Sequence, residues 1–368
     1  MDPLQKSSYR FDLPESLIAA FPLEKRADAR LMVIRKKSQT LEHRFVRELP
    51  SILPRASVLV ANNTRVFRAR LLGNRIPSSG GIHGGGSGKV EFFLLKRLGP
   101  LLWQGLIKSS AKVLPGFQFQ VKTIEACVTA REDTVAGTLF TVRLSSDPIE
   151  LNIGEVPLPP YIVAKRGSGP STDELEIYNT VFAKQTGSVA APTAGRHFTS
   201  ELISELKACG MDWEEITLHV GMGTFKPVTV NDIREHQMHP EMSYLGPEIA
   251  KRLLLARQKG RPIIAIGTTS ARTLEGRGRR DEHGTVQLDP GENEVNLFIH
   301  PDSRSECKHD WKWVDGLLTN FHLSESTLLM MVADFLGDLT FLKMVYQCAI
   351  EEKYRFYSYG DAMLILPE

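Results

Sequence analysis

Four of the ten histidines fall between Gly187 and Glu241, in three polar loops reading GSVAAPTAGRHFT, TLHVGMGTFKPV and EHQMHPE. Imidazole is the side chain that titrates nearest neutrality, so His197, His219, His236 and His239 are candidates for moving protons. Beside them stand Gly195, Gly221 and Gly223, which let backbone approach a ligand closely, and Thr193, Thr199, Thr224 and Lys226, which supply donors and acceptors. One such loop would be an ordinary turn. Three in series read as a pocket. Further on, RPIIAIG empties into GTTSARTLE, a strand-to-helix turn carrying the hydroxyls of Thr268, Thr269 and Ser270 and then Arg272. Backbone N–H groups and the dipole at a helix start favour an anion such as a carboxylate. An earlier polar strand exit, Asn62, Asn63, Thr64 and Arg65, stands where α/β proteins place ligands.

Stock motifs do not account for these residues. His236 and His239 are followed by Glu241, but Pro240 breaks the helix that an H-E-x-x-H metal site needs, so no metal ligand set is assigned. GMGTFK lacks the third glycine of a dinucleotide fingerprint, and no G-x-S-x-G elbow is present. Pro77–Gly88, with six glycines in twelve residues, precedes Lys89 but has His83 and Val90 where a P-loop needs glycine and a hydroxyl residue. It reads as a flexible excursion. Neither a metal nor a flavin is expected.

The elements that must position this chemistry alternate between two types. A helix at Ser200–Cys209 with Leu202, Ile203, Leu206 and Cys209 on one face leads to a strand at Glu215–Val220, and helix 247–258 leads to a continuously apolar strand at 261–267, suited to a parallel sheet buried on both faces. Strands are also expected at Leu31–Arg35, Ala56–Ala61, Glu294–Ile299 and Ala362–Leu366. Helices are expected near Asp173–Lys184 and at Leu339–Lys353, with a short helical pattern before Leu31 and a polar, mobile segment at Gly276–Gly291. From Arg68 to Leu144 the pattern changes to short β runs such as KVEFFLL, LWQGLIK and FQFQVKTI with no helix among them, the signature of a small β-barrel. The expected architecture is α/β: a layered α/β main domain formed by 1–65 and 150–368, with an inserted small β-barrel domain at 66–149.

Length and composition agree. A chain of 368 residues exceeds one typical core. With 42% hydrophobic and 24% charged residues it is an ordinary globular chain, and no apolar run approaches the roughly 20 residues of a membrane span. No secretory pattern opens the sequence, which points to the cytoplasm. Cys127, Cys209, Cys307 and Cys348 lie far apart with no C-x-x-C, and read as buried free thiols. The formal net charge of +2 gives no nucleic-acid footprint, so any RNA contact must come from local clusters.

Taken together, VANNTRVFRARL, LPPYI, VAAPTAGRHFT, TLHVGMGTFKPV, EHQMHPE, GTTSARTLE, TNFHL, STLLMMVADF and YRFYSYGDAMLI closely resemble the S-adenosylmethionine:tRNA ribosyltransferase-isomerase family of queuosine biosynthesis, in order and over nearly the whole chain. The resemblance implies transfer and isomerisation of the ribosyl part of S-adenosylmethionine onto 7-aminomethyl-7-deazaguanine at a tRNA wobble position, giving epoxyqueuosine and releasing adenine and methionine. S-adenosylmethionine is then a substrate, tRNA the partner, and the protein a monomer acting away from membranes. A base must remove the C5′ proton beside the sulfonium. His219 and His236 are the favoured candidates, with Glu241 and Asp361 to hold an imidazole tautomer or the methionine ammonium. Thr268, Thr269, Ser270 and Arg272 are assigned to the methionine carboxylate. Thr193, Gly195, His197, Gly221, Gly223, Asn320 and His322 are assigned to the substrate, and Arg65, Arg68, Arg196 and Lys226 to tRNA. Phe225, Phe321 or Tyr359 would face the sulfonium.

Three departures from the family pattern stand out: Arg196 where leucine is usual, Asn63 where aspartate is usual, and Ser324-Glu325 where Pro-Lys is usual. A lone buried guanidinium is costly, so Arg196 should open to the tRNA or meet a local acid. Arg196 and Glu325 would equally suit a tRNA-binding protein that has lost catalysis. A metal hydrolase would rest on the His236/His239 spacing alone.

Overall fold

The computed structural model describes residues 2–77, 88–134, 137–167, 169–171, 173–221, 228–302 and 309–368. Three short 3-10 turns precede the first strand, where a helix was expected, because Pro14 and Pro22 interrupt any longer helical ladder. The strands up to the polar exit are β1 (Arg30–Arg35), β2 (Thr40–Phe45), β3 (Val58–Asn62) and β4 (Thr64–Val66). Six more follow: β5 (Arg70–Arg75), β6 (Lys89–Gly99), β7 (Leu102–Ser109), β8 (Gln118–Val121), β9 (Ile124–Thr134) and β10 (Gly137–Leu144). The remainder carries β11 (Gln185–Ser188), β12 (Asp212–Leu218), β13 (Glu241–Leu245), β14 (Ile263–Ile266), β15 (Gly278–Arg280), β16 (Val286–Leu288), β17 (Gly291–Val295), β18 (Gly316–Asn320) and β19 (Ala362–Leu366).

Nine strands make one mixed sheet in the order β17-β13-β12-β3-β14-β18-β19-β1-β2. Its centre is parallel, since β3 pairs in parallel with both β12 and β14, and β14 with β18. Apolar runs without alternation are what such a centre requires, and the side chains divide by period two between its faces. Val58, Val60, Ile263, Ala265 and Leu317 pack on one side with the long helices Pro247–Gln258, Thr268–Arg277, Thr327–Leu336 and Leu339–Glu351. Leu59, Ala61, Ile264, Ile266 and Leu318 pack on the other with the helix Ser200–Ala208. Strands β5 to β10 pair in a closed ring, β10-β7-β6-β5-β8-β9, around Leu71, Phe92, Phe119, Val128 and Val142.

Three local expectations are corrected. The helix expected over Asp173–Lys184 stops at Tyr178, because the buried Asn179 leaves helical geometry and its side chain pairs with both the N–H and C=O of Val66. Part of the segment Gly276–Gly291 is an ordered hairpin, β15 with β16, and β17 starts at Gly291, earlier than the strand expected at Glu294. Among the described cysteines Cys209 is exposed and Cys127 and Cys348 are half-buried; all three are free, but they are not core thiols. Pro77 and Gly88 flank the glycine-rich excursion, which otherwise lies outside the described residues.

Candidate active site

The parallel strands β14 and β18 end side by side, held in register by a 2.7 Å hydrogen bond from the Gly267 N–H to the Leu318 carbonyl. A cleft opens at these ends, enclosing about 750 Å³ of empty space, part of it open to solvent, and lined by Gly267, Thr268, Thr269, Thr319, Asn320 and His322 from this side. A crevice at the carboxyl ends of parallel strands is the usual ligand position in an open α/β sheet. Opposite stand Ala191, Pro192 and Thr193 from the first polar loop, with Tyr161, Tyr178, Tyr357 and Ser358.

Gly267 makes the turn at φ +89°, a conformation that favours glycine, and serves as N-cap of the helix Thr268–Arg277 without any side-chain cap. Its first N–H groups therefore remain available at the cleft. Thr269 is 8% exposed, and its hydroxyl is buried with no partner among the described residues. Asn320, 2% exposed, has its side-chain nitrogen near the carbonyls of Tyr357 (3.1 Å) and Asp361 (3.3 Å) and His197 Nε2 (3.3 Å), while its oxygen Oδ1 has no partner among the described residues. His322 donates nothing to a carboxylate; its Nε2 meets the Thr319 hydroxyl at 2.8 Å, and burial draws its pKa down to about 3. It is neutral at working pH.

The neighbouring strand exits, β3 and β12, are built differently. Asn62 accepts from the Thr64 and Leu218 N–H groups at 3.1 and 3.0 Å and donates to the Leu218 carbonyl at 2.9 Å. Asn63 accepts from the Thr217 hydroxyl at 2.7 Å. Ser188 donates to the Ala190 carbonyl and accepts from the Val220 N–H, both at 2.8 Å. His219 Nδ1 lies 2.8 Å from the Thr64 hydroxyl, which itself points at the Gln185 carbonyl. That arrangement places the imidazole proton on Nδ1 and makes Nε2 the acceptor nitrogen. Gly187 packs under the ring, where a Cβ would come within 2.7 to 2.9 Å of three of its atoms. Burial lowers the His219 pKa. His219 itself is not among the residues that line the cleft; Val220, the next residue, is.

Several expected site residues serve as frame instead. Ser270 donates back to the Ile266 carbonyl at the end of β14, at 2.8 Å. Arg272 is buried in an ion pair with Glu241 and also donates to the Leu297 carbonyl, while Glu241 accepts from the Gly221 N–H at 2.9 Å; this carboxylate neutralises the arginine and is not free for an ammonium. Asp361 is likewise committed, accepting from the backbone N–H of Arg30 (3.1 Å) and of Arg355 (2.8 Å), with burial raising its pKa. Gly195 is needed for packing rather than for ligand approach, since a Cβ there would fall 2.7 Å from the Phe182 ring. His197 is buried beneath Asn320, and burial together with Arg196, Arg355 and Arg26 draws its pKa down to about 3. His236 packs edge-on against Phe298 and does not line the cleft. Gly223, Thr224, Phe225 and Lys226 lie outside the described residues.

Arg196 corrects the expectation most plainly. It is 5% exposed and faces inward: Nε donates to the Ile177 carbonyl (3.2 Å), Nη1 to the Ser358 carbonyl (2.9 Å), and the guanidinium lies 4.3 Å from the centre of the Tyr359 ring. The Tyr359 hydroxyl in turn donates to Glu174, whose carboxylate also pairs with Arg166 at 2.7 Å. Carbonyls, an aromatic face and an acid one residue removed replace the tRNA phosphate that was expected there. Tyr359 is thereby occupied and does not face a sulfonium. Arg65 pairs with Glu176, and Arg68 bonds to the Asn152 side chain at 3.0 Å; both are half-exposed.

Among the lining residues that received no assignment from sequence are Tyr161, Tyr178, Tyr357 and Ser358. The tyrosines of LPPYI and YRFYSYGD were the available signal. Tyr161 and Tyr357 meet edge to face at 5.0 Å, and the Tyr161 hydroxyl lies 2.5 Å from that of Ser358. Tyr357 holds φ +72°, a strained choice for an aromatic residue, at the cleft wall.

Among the described residues no group of three or more His, Cys, Asp or Glu is placed to hold a metal, and no helix is long and apolar enough to cross a membrane. Residues 6–365 match the family model described as queuosine biosynthesis protein. The chain is 41% identical to the S-adenosylmethionine:tRNA ribosyltransferase-isomerase of Natranaerobius thermophilus, over 98% of this chain and 99% of that one. It is 42% identical to the enzyme of the same name from Symbiobacterium thermophilum, over 99% and 100%. A crystal structure of S-adenosylmethionine tRNA ribosyltransferase from Thermotoga maritima matches 98% of this chain and 100% of its own with a TM-score of 0.52 at 30% identity. With a cleft at the parallel strand ends and these likenesses spanning the full length, the chain belongs to the queuosine biosynthesis family of S-adenosylmethionine:tRNA ribosyltransferase-isomerases.

Proposed function

We propose that this protein transfers and isomerises the ribosyl moiety of S-adenosylmethionine onto 7-aminomethyl-7-deazaguanine at the tRNA wobble position, giving epoxyqueuosine-tRNA with release of adenine and methionine. The observation that carries the reading is the uncapped helix start at Gly267–Thr269 with unpartnered polar atoms beside it, in a cleft at the strand ends. The methionine carboxylate lies against the Thr268 and Thr269 N–H groups, where helix dipole and donors favour an anion. Thr193 and His322 line the same cleft, and the edge-to-face pair of Tyr161 and Tyr357 offers an electron-rich surface to the sulfonium.

His219 takes the C5′ proton. Its tautomer leaves Nε2 as the acceptor, and its pKa, lowered by burial, keeps it unprotonated at neutral pH. Loss of that proton gives an ylide that expels adenine, and the neutral aminomethyl group of the base is the nucleophile that joins the ribosyl carbon skeleton. Arg65 and Arg68, beside the β4 exit, contact tRNA phosphates. Residues 66–149 act as an inserted small β-barrel domain on the main domain formed by 1–65 and 150–368. The work is done in the cytoplasm.

The test is release of adenine from S-adenosylmethionine by the purified protein. It is expected only with tRNA carrying the aminomethyl deazaguanine. Methyl transfer to tRNA in its place would overturn the proposal. In deuterated solvent, His219→Ala should bind S-adenosylmethionine and lose C5′ exchange by roughly 10²–10⁴ in rate, as expected for a missing general base; wild-type exchange would remove His219 from the role.

A further inference from the structure

Asn320 is an amide whose orientation is fixed by its surroundings. Two of the groups near its nitrogen, the carbonyls of Tyr357 and Asp361, can only accept, so the NH2 end must face them and Oδ1 must face the other way. The third neighbour, His197 Nε2, is an acceptor only while that imidazole stays neutral. The result is a carbonyl oxygen, buried without a partner among the described residues, on the wall of the cleft. A buried acceptor left unsatisfied costs about 1–3 kcal/mol, so a ligand that brings a donor to this point gains what the empty cleft forgoes.

The position of that donor relative to an anion is also defined. Strands β14 and β18 are hydrogen-bonded neighbours, which places them about 4.8 Å apart. The uncapped helix start and the unpartnered Thr269 hydroxyl leave β14; Asn320 closes β18. One strand end thus presents donors and the next an acceptor, on neighbouring strands, a gap that an anion and an amine on one carbon can bridge when each is held by its own hydrogen bond. An α-amino acid has that pairing, with its carboxylate toward the helix start and its ammonium toward Oδ1. The amino group of adenine does not, because the ribose separates it from any carboxylate in the donor molecule.

We infer that the β14–β18 end of the cleft is an α-amino-acid subsite in which Asn320 Oδ1 accepts from the ammonium of the donor substrate while Thr269 and the helix start hold its carboxylate. The inference rests on the reading of S-adenosylmethionine as substrate and adds to it a requirement for the amine. It also assigns His197 and Asp361 a positioning role: they hold the amide so that its oxygen faces the ligand.

Calorimetric titration of the full chain with three ligands tests this: S-adenosylmethionine, its decarboxylated form, and the analogue in which hydroxyl replaces the α-amino group. Wild type should lose on the order of tenfold to a hundredfold in affinity when the amine is removed, as for a charge-assisted hydrogen bond. Thr269→Val should keep that loss but show a reduced penalty for decarboxylation. Asn320→Ala, checked for native melting, should bind S-adenosylmethionine weakly and lose no more when the amine is removed. If Asn320→Ala does not fold, the wild-type and Thr269→Val series decide. Equal binding of the amine and hydroxyl ligands by wild type overturns the inference while leaving the substrate reading standing. Failure of S-adenosylmethionine to bind with substrate tRNA present overturns both.

Discussion

The β14–β18 end of the large sheet and its β3–β12 end are both rich in Asn, Thr and His, yet they handle them in opposite ways. At β3–β12 both ends of the Asn62 amide are used, the hydroxyls of Thr64, Ser188 and Thr217 are engaged, and Asn63 accepts from Thr217. At β14–β18 the hydroxyl of Thr269 and the oxygen of Asn320 are buried without a partner among the described residues, and the helix that starts there has no side-chain cap. Equal composition therefore hides unequal purpose. A satisfied polar network fixes backbone and tautomers, while unsatisfied buried atoms are tolerated where a ligand completes them. The proposed mechanism draws on both: the frame end holds the His219 ring, and the open end is the proposed binding wall.

The contrast is broken most directly by exchanging polar for apolar shape at each end. Asn62→Leu strands the N–H and C=O of Leu218 and the N–H of Thr64, and should lower unfolding free energy by roughly 3 kcal/mol or more in urea titration, as three abandoned buried groups require. Thr269→Val removes a hydroxyl that lacks a partner among the described residues, so the ligand-free protein should be equally stable or more so. Were Thr269→Val the more destabilising of the two, the division into frame and binding wall would fail.

The two ends were not equally legible in the sequence. The strands expected at Ala56–Ala61, at 261–267 and at Ala362–Leu366 all formed, and the helix expected after Gly267 starts there, because these follow from local pattern alone. What sequence could not separate was a hydroxyl of a cleft-lining residue from one that turns back to the preceding strand: Thr269 and Ser270 are adjacent, and only the direction of the turn distinguishes them. Asp361 and Glu241 read as chemistry because carboxylates in motif-dense loops usually do. Their partners, the N–H groups of Arg30 and Arg355 and the guanidinium of Arg272, come from distant segments that no local pattern joins. Arg196 was misplaced for a related reason. The exclusion of a lone buried charge was sound, but the compensation comes from carbonyls and a ring rather than from an adjacent acid.

A second substitution sharpens the role of the frame in catalysis. In Gly187→Ala the new methyl group meets the His219 ring, and since Gly187 lies within a strand the ring is the part that moves. A displacement near 1 Å can cost about a hundredfold in rate. C5′ exchange should fall on that scale while affinity for S-adenosylmethionine holds, and unaltered exchange would mean that the orientation of His219 is immaterial.

Acid sensitivity probes the joint between the two ends. His197 has its pKa drawn down to about 3 in the folded protein against an ordinary value of 6.5, so the unfolded chain binds the extra proton across that window. The sign follows: stability is complete above pH 6.5 and is lost as pH falls toward 3, at up to about 1.4 kcal/mol per pH unit for this one group. Protonation also removes the acceptor that helps hold Asn320. Because most carboxylates titrate lower, the loss between pH 6.5 and 5 should be visibly shallower in His197→Gln, which cannot titrate, than in wild type, when unfolding free energies are compared across that range. Parallel curves would show that His197 is not held neutral.

The smallest expected effect lies outside both walls, at Arg196, and is a null result with a matched control. Burial draws its pKa down to about 10, which still leaves it charged at neutral pH, but its donors are spent on the Ile177 and Ser358 carbonyls and its face on Tyr359. A phosphate contact releases counterions and therefore contributes to the salt dependence of tRNA binding, by close to one unit of slope per contact. An inward guanidinium releases none. Arg196→Leu should leave the slope of log affinity against log salt unchanged, whatever it does to stability, whereas Arg68→Ala, from a half-exposed arginine near the β4 exit, should lower it by about one. If Arg196→Leu lowers the slope and Arg68→Ala does not, the RNA runs over the face now assigned to the buried frame, and the inward geometry of Arg196 belongs only to the free protein.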